Sequence, residues 1–183
     1  DIDKCELQKP TVRPDLPVHA DLRDFLRELH LVNSKLNLKS HSKWVSWCKT
    51  RVEKYPVVLA DYSSSKLINP YVFVDSLTKQ LSPGDIVVTG DGSACVVTFQ
   101  AATVKNNQRL YTNGGCAAMG YDLPAAIGAA LAAPGDRVIC LAGDGSVMMN
   151  LQELQTISGN SFPITIFLLN NNGYASIAQT HNN

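Results

Sequence analysis

The chain has 183 residues, 45% of them hydrophobic, 17% charged and 7% aromatic, with 16 basic residues balanced by 16 acidic ones. That length holds one domain or slightly more, with ample apolar material for a core, and zero net charge excludes the basic surface of a general nucleic-acid binder. No apolar run reaches the roughly 20 residues needed to cross a bilayer, and the opening DIDKCELQKP has none of the features of a signal peptide. Five cysteines (Cys5, Cys48, Cys95, Cys116 and Cys140) are scattered without a CxxC pair. That pattern argues against a disulfide scaffold and a structural zinc site. The expectation is a soluble, cytoplasmic protein with neither nucleic acid nor membrane as a partner.

In chain order, DIDKCEL alternates as a strand does, and KPTVRPDLP excludes helix. Leu22, Phe25, Leu26 and Leu29 then fall on one face of a short helix. A strand and a helix enclose no core, so residues 1–30 are expected to be the C-terminal remnant of a preceding domain. Residues 31–66 read as a polar linker, with Trp44 and Trp47 as isolated anchors, SSSK at 63–66 and a short helix around 44–54. From residue 67 the texture changes. INPYVFVDSLTKQL predicts a helix stopped by Pro83-Gly84, and DIVVT a strand. CVVTFQAAT is read as helix despite its adjacent valines, and residues 109–112 as a short strand. A small-residue helix is expected over 123–133, a buried strand over 137–142, an amphipathic segment over 149–158 and a last strand over 163–169. Apolar strands alternating with helices predict an α/β fold, a doubly wound parallel sheet with helices on both faces. Each strand runs into a polar, glycine-bearing cluster: GDGS at 90–93, NGG at 113–115, GDGS at 143–146 and NNNG at 170–173. Ligands of such sheets bind beyond the carboxyl ends of the strands.

Asp144 and Asn171 both follow apolar strands and stand 27 positions apart (144 to 171). That interval fits one helix and a return strand, so the two side chains can meet at one rim. A carboxylate oxygen, an amide oxygen and a nearby backbone carbonyl are hard ligands suited to Mg²⁺. A single charged side chain fits a site whose other ligands come from an anionic diphosphate. Glycines permit close approach of backbone to phosphate, and the next helix offers free N–H groups. Taken singly, GDGS is an ordinary turn and NNNG an ordinary loop. Asp91, in the first GDGS, has Ala118 at the same interval and is assigned no metal role; its loop reads as an ordinary strand-to-helix connection, with an anion-binding turn as the alternative.

The segment GDGSVMMNLQELQTISGNSFPITIFLLNNNGY resembles the thiamine diphosphate signature, GDG followed by NN after an apolar strand. GGCAAMGYDLPAAIGAALAAPGDRVICLAGDGS is similar to the acetolactate synthase and pyruvate decarboxylase branch of that family. The likeness covers nearly the whole chain and is most specific over residues 114–179. It implies a middle-domain remnant over 1–30, a linker over 31–66 and a diphosphate-binding domain over 67–183 that is truncated at its C-terminal end. It also implies Mg²⁺ held by Asp144, the Asn171 side chain and the Gly173 carbonyl. Gly143, Gly145 and Ser146 would shape the diphosphate site, with Gly92, Ser93 and Tyr174 also at the cofactor. Met119 would support the bent centre of thiamine diphosphate, and the Ala117 carbonyl would accept from its aminopyrimidine. Without that block Met119 reads as a core methionine. The small residues of LPAAIGAALAA suit tight helix packing near a subunit interface.

Some features depart from the family pattern. Where acetolactate synthases show a GQHQ-like run, this chain has Gly92-Ser93-Ala94-Cys95 and keeps only Gln100. Many relatives have glycine in place of Ala117. Cys95 and Cys116 are expected in loops near the site as buried small-residue filler. His19, His30, His41 and His181 show no ligand spacing. The glutamate that activates the aminopyrimidine is expected in a separate domain, normally the partner subunit's, so no catalytic residue is expected within residues 1–183 and the isolated chain is expected to be inactive. The resemblance implies decarboxylation of a 2-keto acid followed by carboligation, in a homodimer or tetramer with shared sites. A simple decarboxylase and a non-catalytic cofactor-binding paralogue are the alternatives. A nucleotide-binding Rossmann domain ranks below them, because no GxGxxG opens the first strand–helix unit.

Overall fold

The structure, a computed structural model, describes residues 1–36, 40–64 and 66–181. It divides into two compact units, Asp1–Lys54 and Tyr55–Asn183, with the boundary inside the expected linker. Residues 37–39 and 65 of that linker, including part of SSSK, lie outside the described residues, as do Asn182 and Asn183 at the end of the last segment.

The first unit holds helix α1 (Leu22–Asn33) and helix α2 (Ser42–Lys54). Asp21 caps α1 by accepting from Arg23 N at 2.7 Å. The strand expected over DIDKCEL does not form; a short 3₁₀ turn at Glu6–Gln8 stands at its end. Asp1 Oδ1 accepts from Asp3 N, and Asp3 Oδ1 from Cys5 N, both at 2.8 Å. These aspartate turns claim the N–H groups that a strand would offer to a neighbour. Trp44 and Trp47 are not isolated: they stack at 5.0 Å between ring centroids, and the Arg51 guanidinium lies over the Trp47 ring.

The second unit opens with α3 (Pro70–Gln80), where Asn69 caps by accepting from Tyr71 N and Pro70 takes the first turn. Then come β1 (Ile86–Thr89), α4 (Ser93–Ala101), β2 (Arg109–Tyr111), α5 (Asp122–Ala132), β3 (Val138–Gly143), the single turn α6 (Asp144–Val147), α7 (Glu153–Gly159), β4 (Ile164–Leu169) and α8 (Ala175–His181). The four strands form one parallel sheet in the order β2-β1-β3-β4.

Alternation along the two central strands sorts the core into two layers. Ile86, Val88, Val138, Cys140 and Ala142 join Leu123, Ala126 and Ala130 of α5 and Ile157 of α7. Val87, Ile139 and Leu141 face the other way, against Val74 of α3 and Ala94, Val97 and Ala101 of α4. Helices therefore cover both faces, as the continuous apolar runs predict. The small residues of α5 let it lie close on the sheet. Among the described residues, no helix is long and apolar enough to cross a membrane.

Topology places the site. From β1 the chain goes to β2 on one side, then crosses to β3 on the other. The carboxyl ends of β1 and β3 thus flank a switch point, where the connecting loops part and leave a crevice.

Candidate functional site

A cleft of about 150 Å³ opens at that switch point. The loop after β1 contributes Asp91, Gly92 and Ser93; the end of β3 and α6 contribute Gly143, Asp144, Gly145 and Ser146. The segment after β4 contributes Asn171, Gly173 and Tyr174, and Met119 comes from the loop before α5.

Register brings Asp144 to Asn171. Gly143 pairs with Leu169 across β3 and β4, so the chain leaves both strands at one level. Asp144 Oδ1 accepts from Gly145 N at 3.0 Å, and Oδ2 accepts from Gly173 N at 2.7 Å. One carboxylate thereby ties the two loops together. The loop after β4 turns sharply enough to reach it. Asn170 Oδ1 accepts from Asn172 N at 2.9 Å, and Asn172 and Gly173 adopt φ of 65° and 123°.

The Asn171 amide head lies 2.6 Å from Gly173 O and 3.2 Å from Asp144 Oδ1. With its nitrogen toward them, the amide donates to both. With its oxygen toward them, the amide oxygen stands beside two other oxygens without a hydrogen between them, an arrangement that a cation stabilises. The donor set, one carboxylate, one amide and one carbonyl, is all oxygen and fits Mg²⁺ with waters or phosphate oxygens completing the shell. Among the described residues no group of three His, Cys, Asp or Glu side chains is placed to hold a metal.

The opposite wall of the cleft suits an anion. Gly92 precedes α4 with φ of 82° in a position where a Cβ would meet open space, and Ser93 begins the helix, whose first N–H groups lack partners within it. The loop is the expected strand-to-helix connection, from β1 to α4, and its Asp91, Gly92 and Ser93 line the same cleft as Asp144. The Tyr174 ring covers Gly145, where a Cβ would come within 2.7 Å of it. Ser146, 3% exposed, uses Oγ to accept from Gly120 N at 2.9 Å.

Ala117 stands outside the cleft lining, exposed, at φ of 51°. It keeps the left-handed backbone that glycine adopts freely. Leu169 and the α8 residues Ala175, Ser176 and Ile177 also line the cleft; the only sequence signal for the α8 residues is that they follow NNNG. Cys95 lies in α4, not in a loop, and its Sγ accepts from Thr112 Oγ1 at 3.2 Å. Cys116 is exposed, so it is not buried filler; it stands in the turn at 114–116. Gln100 accepts from the Tyr71 hydroxyl at 2.7 Å and is not among the residues of the cleft. The four histidines are exposed.

Residues 90–183, just over half the chain, match the family model described as thiamine pyrophosphate enzyme, C-terminal TPP binding domain. The chain belongs to that family. It is 31% identical over 179 residues to the acetolactate synthase isozyme 1 large subunit of Escherichia coli (strain K12), covering 98% of this chain and 31% of that protein. It is 33% identical over 183 residues to acetolactate synthase 2, chloroplastic, of Nicotiana tabacum, covering 98% and 27%. With the probable acetolactate synthase large subunit of Methanocaldococcus jannaschii it shares 32% over 188 residues, covering 100% and 31%. The chain thus spans less than a third of the length of these curated relatives. The family signature and the cleft coincide, since the matched segment includes every cleft-lining residue.

Proposed function

We propose that this chain supplies the diphosphate- and metal-binding half of a thiamine diphosphate-dependent enzyme that decarboxylates a 2-keto acid and joins the remaining fragment to a second carbonyl compound, as an acetolactate synthase does. One observation carries the reading. Asp144, Asn171 and Gly173 converge at the rim of the sheet, across the crevice from the Gly92–Ser93 turn. Asp144, the Asn171 amide and the Gly173 carbonyl would hold Mg²⁺, while Gly92, Ser93 and Gly143 leave room for a diphosphate, with Gly145 beside them under the Tyr174 ring. Met119 and the Ala117 carbonyl would face the ring portion. When bound, thiamine diphosphate supplies a thiazolium carbanion equivalent and an electron sink for decarboxylation.

The chain's own residues bind and orient. Among those that line the cleft there is no glutamate or histidine. The acid–base group is therefore proposed to come from another domain, delivered by a partner subunit, which makes the working enzyme at least a dimer. In this reading residues 1–30 close a middle domain, 31–66 link it, and 67–183 form the cofactor domain.

Calorimetric titration of thiamine diphosphate into the full-length protein tests the site. Binding is expected to require Mg²⁺ and to weaken by more than about 100-fold in Asp144→Ala, since loss of an outer-shell partner alone costs about 10–100-fold. Metal-independent binding, or full affinity in the variant, would overturn the assignment. With pyruvate as substrate, acetolactate supports carboligation and acetaldehyde a simple decarboxylase. Neither product from a cofactor-loaded protein would leave a non-catalytic binding module.

A further inference from the structure

Gly120 ties the Met119 loop to the segment that follows Asp144. It is buried, follows Met119 directly and adopts φ of 83°. Its N–H donates to Ser146 Oγ at 2.9 Å, and its carbonyl accepts from Asn150 Nδ2 at 2.8 Å. A Cβ at this position would lie 2.7 Å from Met149 Cβ and 2.9 Å from Asn150 Nδ2, so the segment after Asp144 fills the space any other residue would need. Asn150 Oδ1 accepts from Gln152 Nε2 at 3.2 Å, which turns the amide nitrogen toward Gly120.

We infer that Asn150 is a positioning residue: with Ser146 it fixes Gly120, and through it Met119, at a set distance from the Asp144 turn. The inference rests on the thiamine diphosphate reading above. A methionine side chain has three rotatable bonds and takes its shape from its surroundings. Its place in the cleft is therefore set by its backbone, and the next residue of that backbone is clamped at both its N–H and its carbonyl. A ligand spanning the cleft from Asp144 to Met119 needs the Met119 loop and the Asp144 turn at fixed separation. A ligand confined to the Asp144, Asn171 and Gly173 side needs only one. Asn150 thus acts on the ring end of a bound cofactor and leaves the diphosphate end alone.

Two probes separate these ends: thiamine diphosphate and inorganic diphosphate, each titrated with saturating Mg²⁺ into the full-length protein, the second also by competition against the first. In Asn150→Ala, affinity for thiamine diphosphate is expected to fall about tenfold, within the range for supporting residues, while inorganic diphosphate binds as in the wild type. In the ligand-free protein the Gly120 amide is expected to exchange faster with solvent. Asn150→Asp, which keeps the shape and removes the donor, carries the test if the alanine variant does not fold. Gly120→Ala, which forces the clamped segments apart, is expected to give the same pattern. Equal loss for both ligands would reduce Asn150 to general support of the site, and no loss for either would remove the clamp; each outcome overturns the inference. A wild-type protein that binds neither ligand would instead overturn the underlying reading, an outcome distinct from a wild type that binds both and an Asn150 variant that matches it.

Discussion

Cys140 occupies the centre of β3 with no exposed surface, and burial, together with the nearby Asp122 carboxylate, pushes its thiol up to about 12. Only the thiolate attacks an alkylating reagent. Iodoacetamide at pH 8 is therefore expected to modify the exposed Cys5 and Cys116 and to spare Cys140 until the protein unfolds, as mass spectrometry of the adducts would report. A Cys140 adduct on folded protein would show that β3 opens. Gly145 makes a second case. A Cβ there would press on the Tyr174 ring, which is 46% exposed and can swing outward. Gly145→Ala is thus expected to cost less than about 1 kcal/mol in stability while weakening thiamine diphosphate several-fold, a split that thermal melting and titration would resolve. At this scale the sequence is most readable where a polar residue follows an apolar strand. Asp144 and Asn171 stand out for that reason. Asn150 does not, because its partner lies 30 residues upstream and a hydrogen bond to a backbone carbonyl leaves no pattern in side-chain identity. Asp91 was legible as a turn, but its place in the cleft depends on β1 and β3 being neighbours.

Short strands hold here because their starting ends are tied. Asp85, just before β1, accepts from Ser82 N at 2.7 Å and from Arg137 Nε at 3.1 Å, with a second bond from Arg137 Nη2. Arg137 immediately precedes β3, so one carboxylate aligns both central strands. Burial alone would raise the Asp85 carboxyl, but the hydrogen bonds from Arg137 and Ser82 and the charges of Arg137 and Lys105 hold it below the ordinary value of 3.8. A carboxyl lowered on folding adds stability that is fully present above its unfolded value and is lost as pH falls through the folded one. Asp85→Asn is therefore expected to cost about 1–2 kcal/mol at pH 7, with the difference from wild type shrinking below about pH 4 as the native carboxylate protonates. Urea midpoints at the two pH values check it; an unchanged difference at low pH would mean the charge is not what matters. Elements were legible where composition was unopposed, as in the small-residue helix α5 and the continuous apolar runs of β1 and β3. Alternation failed over DIDKCEL, where the side chains of Asp1 and Asp3 compete for the backbone N–H groups.

At the scale of the molecule, the class of fold followed from strands that are apolar along their whole length, and the order β2-β1-β3-β4 did not. Strand order is set by which crossover buries more surface, a property that no local window contains. The division into Asp1–Lys54 and Tyr55–Asn183 also partitions the chromophores. Over residues 1–183 both tryptophans, Trp44 and Trp47, belong to the first unit, and all six tyrosines belong to the second. The chain therefore carries two optical reporters that do not overlap in place. Selectively excited indole emission follows one unit through denaturation, and the phenol band, resolved from the overlapping indole band in the second-derivative absorbance spectrum, follows the other. If the two curves coincide, the units unfold as one cooperative body; if they part, each has its own stability. Thiamine diphosphate with Mg²⁺ is expected to move the phenol curve upward by mass action, about 2.7 kcal/mol at a hundredfold excess over Kd. The distance by which the indole curve follows is a direct reading of the coupling between the units.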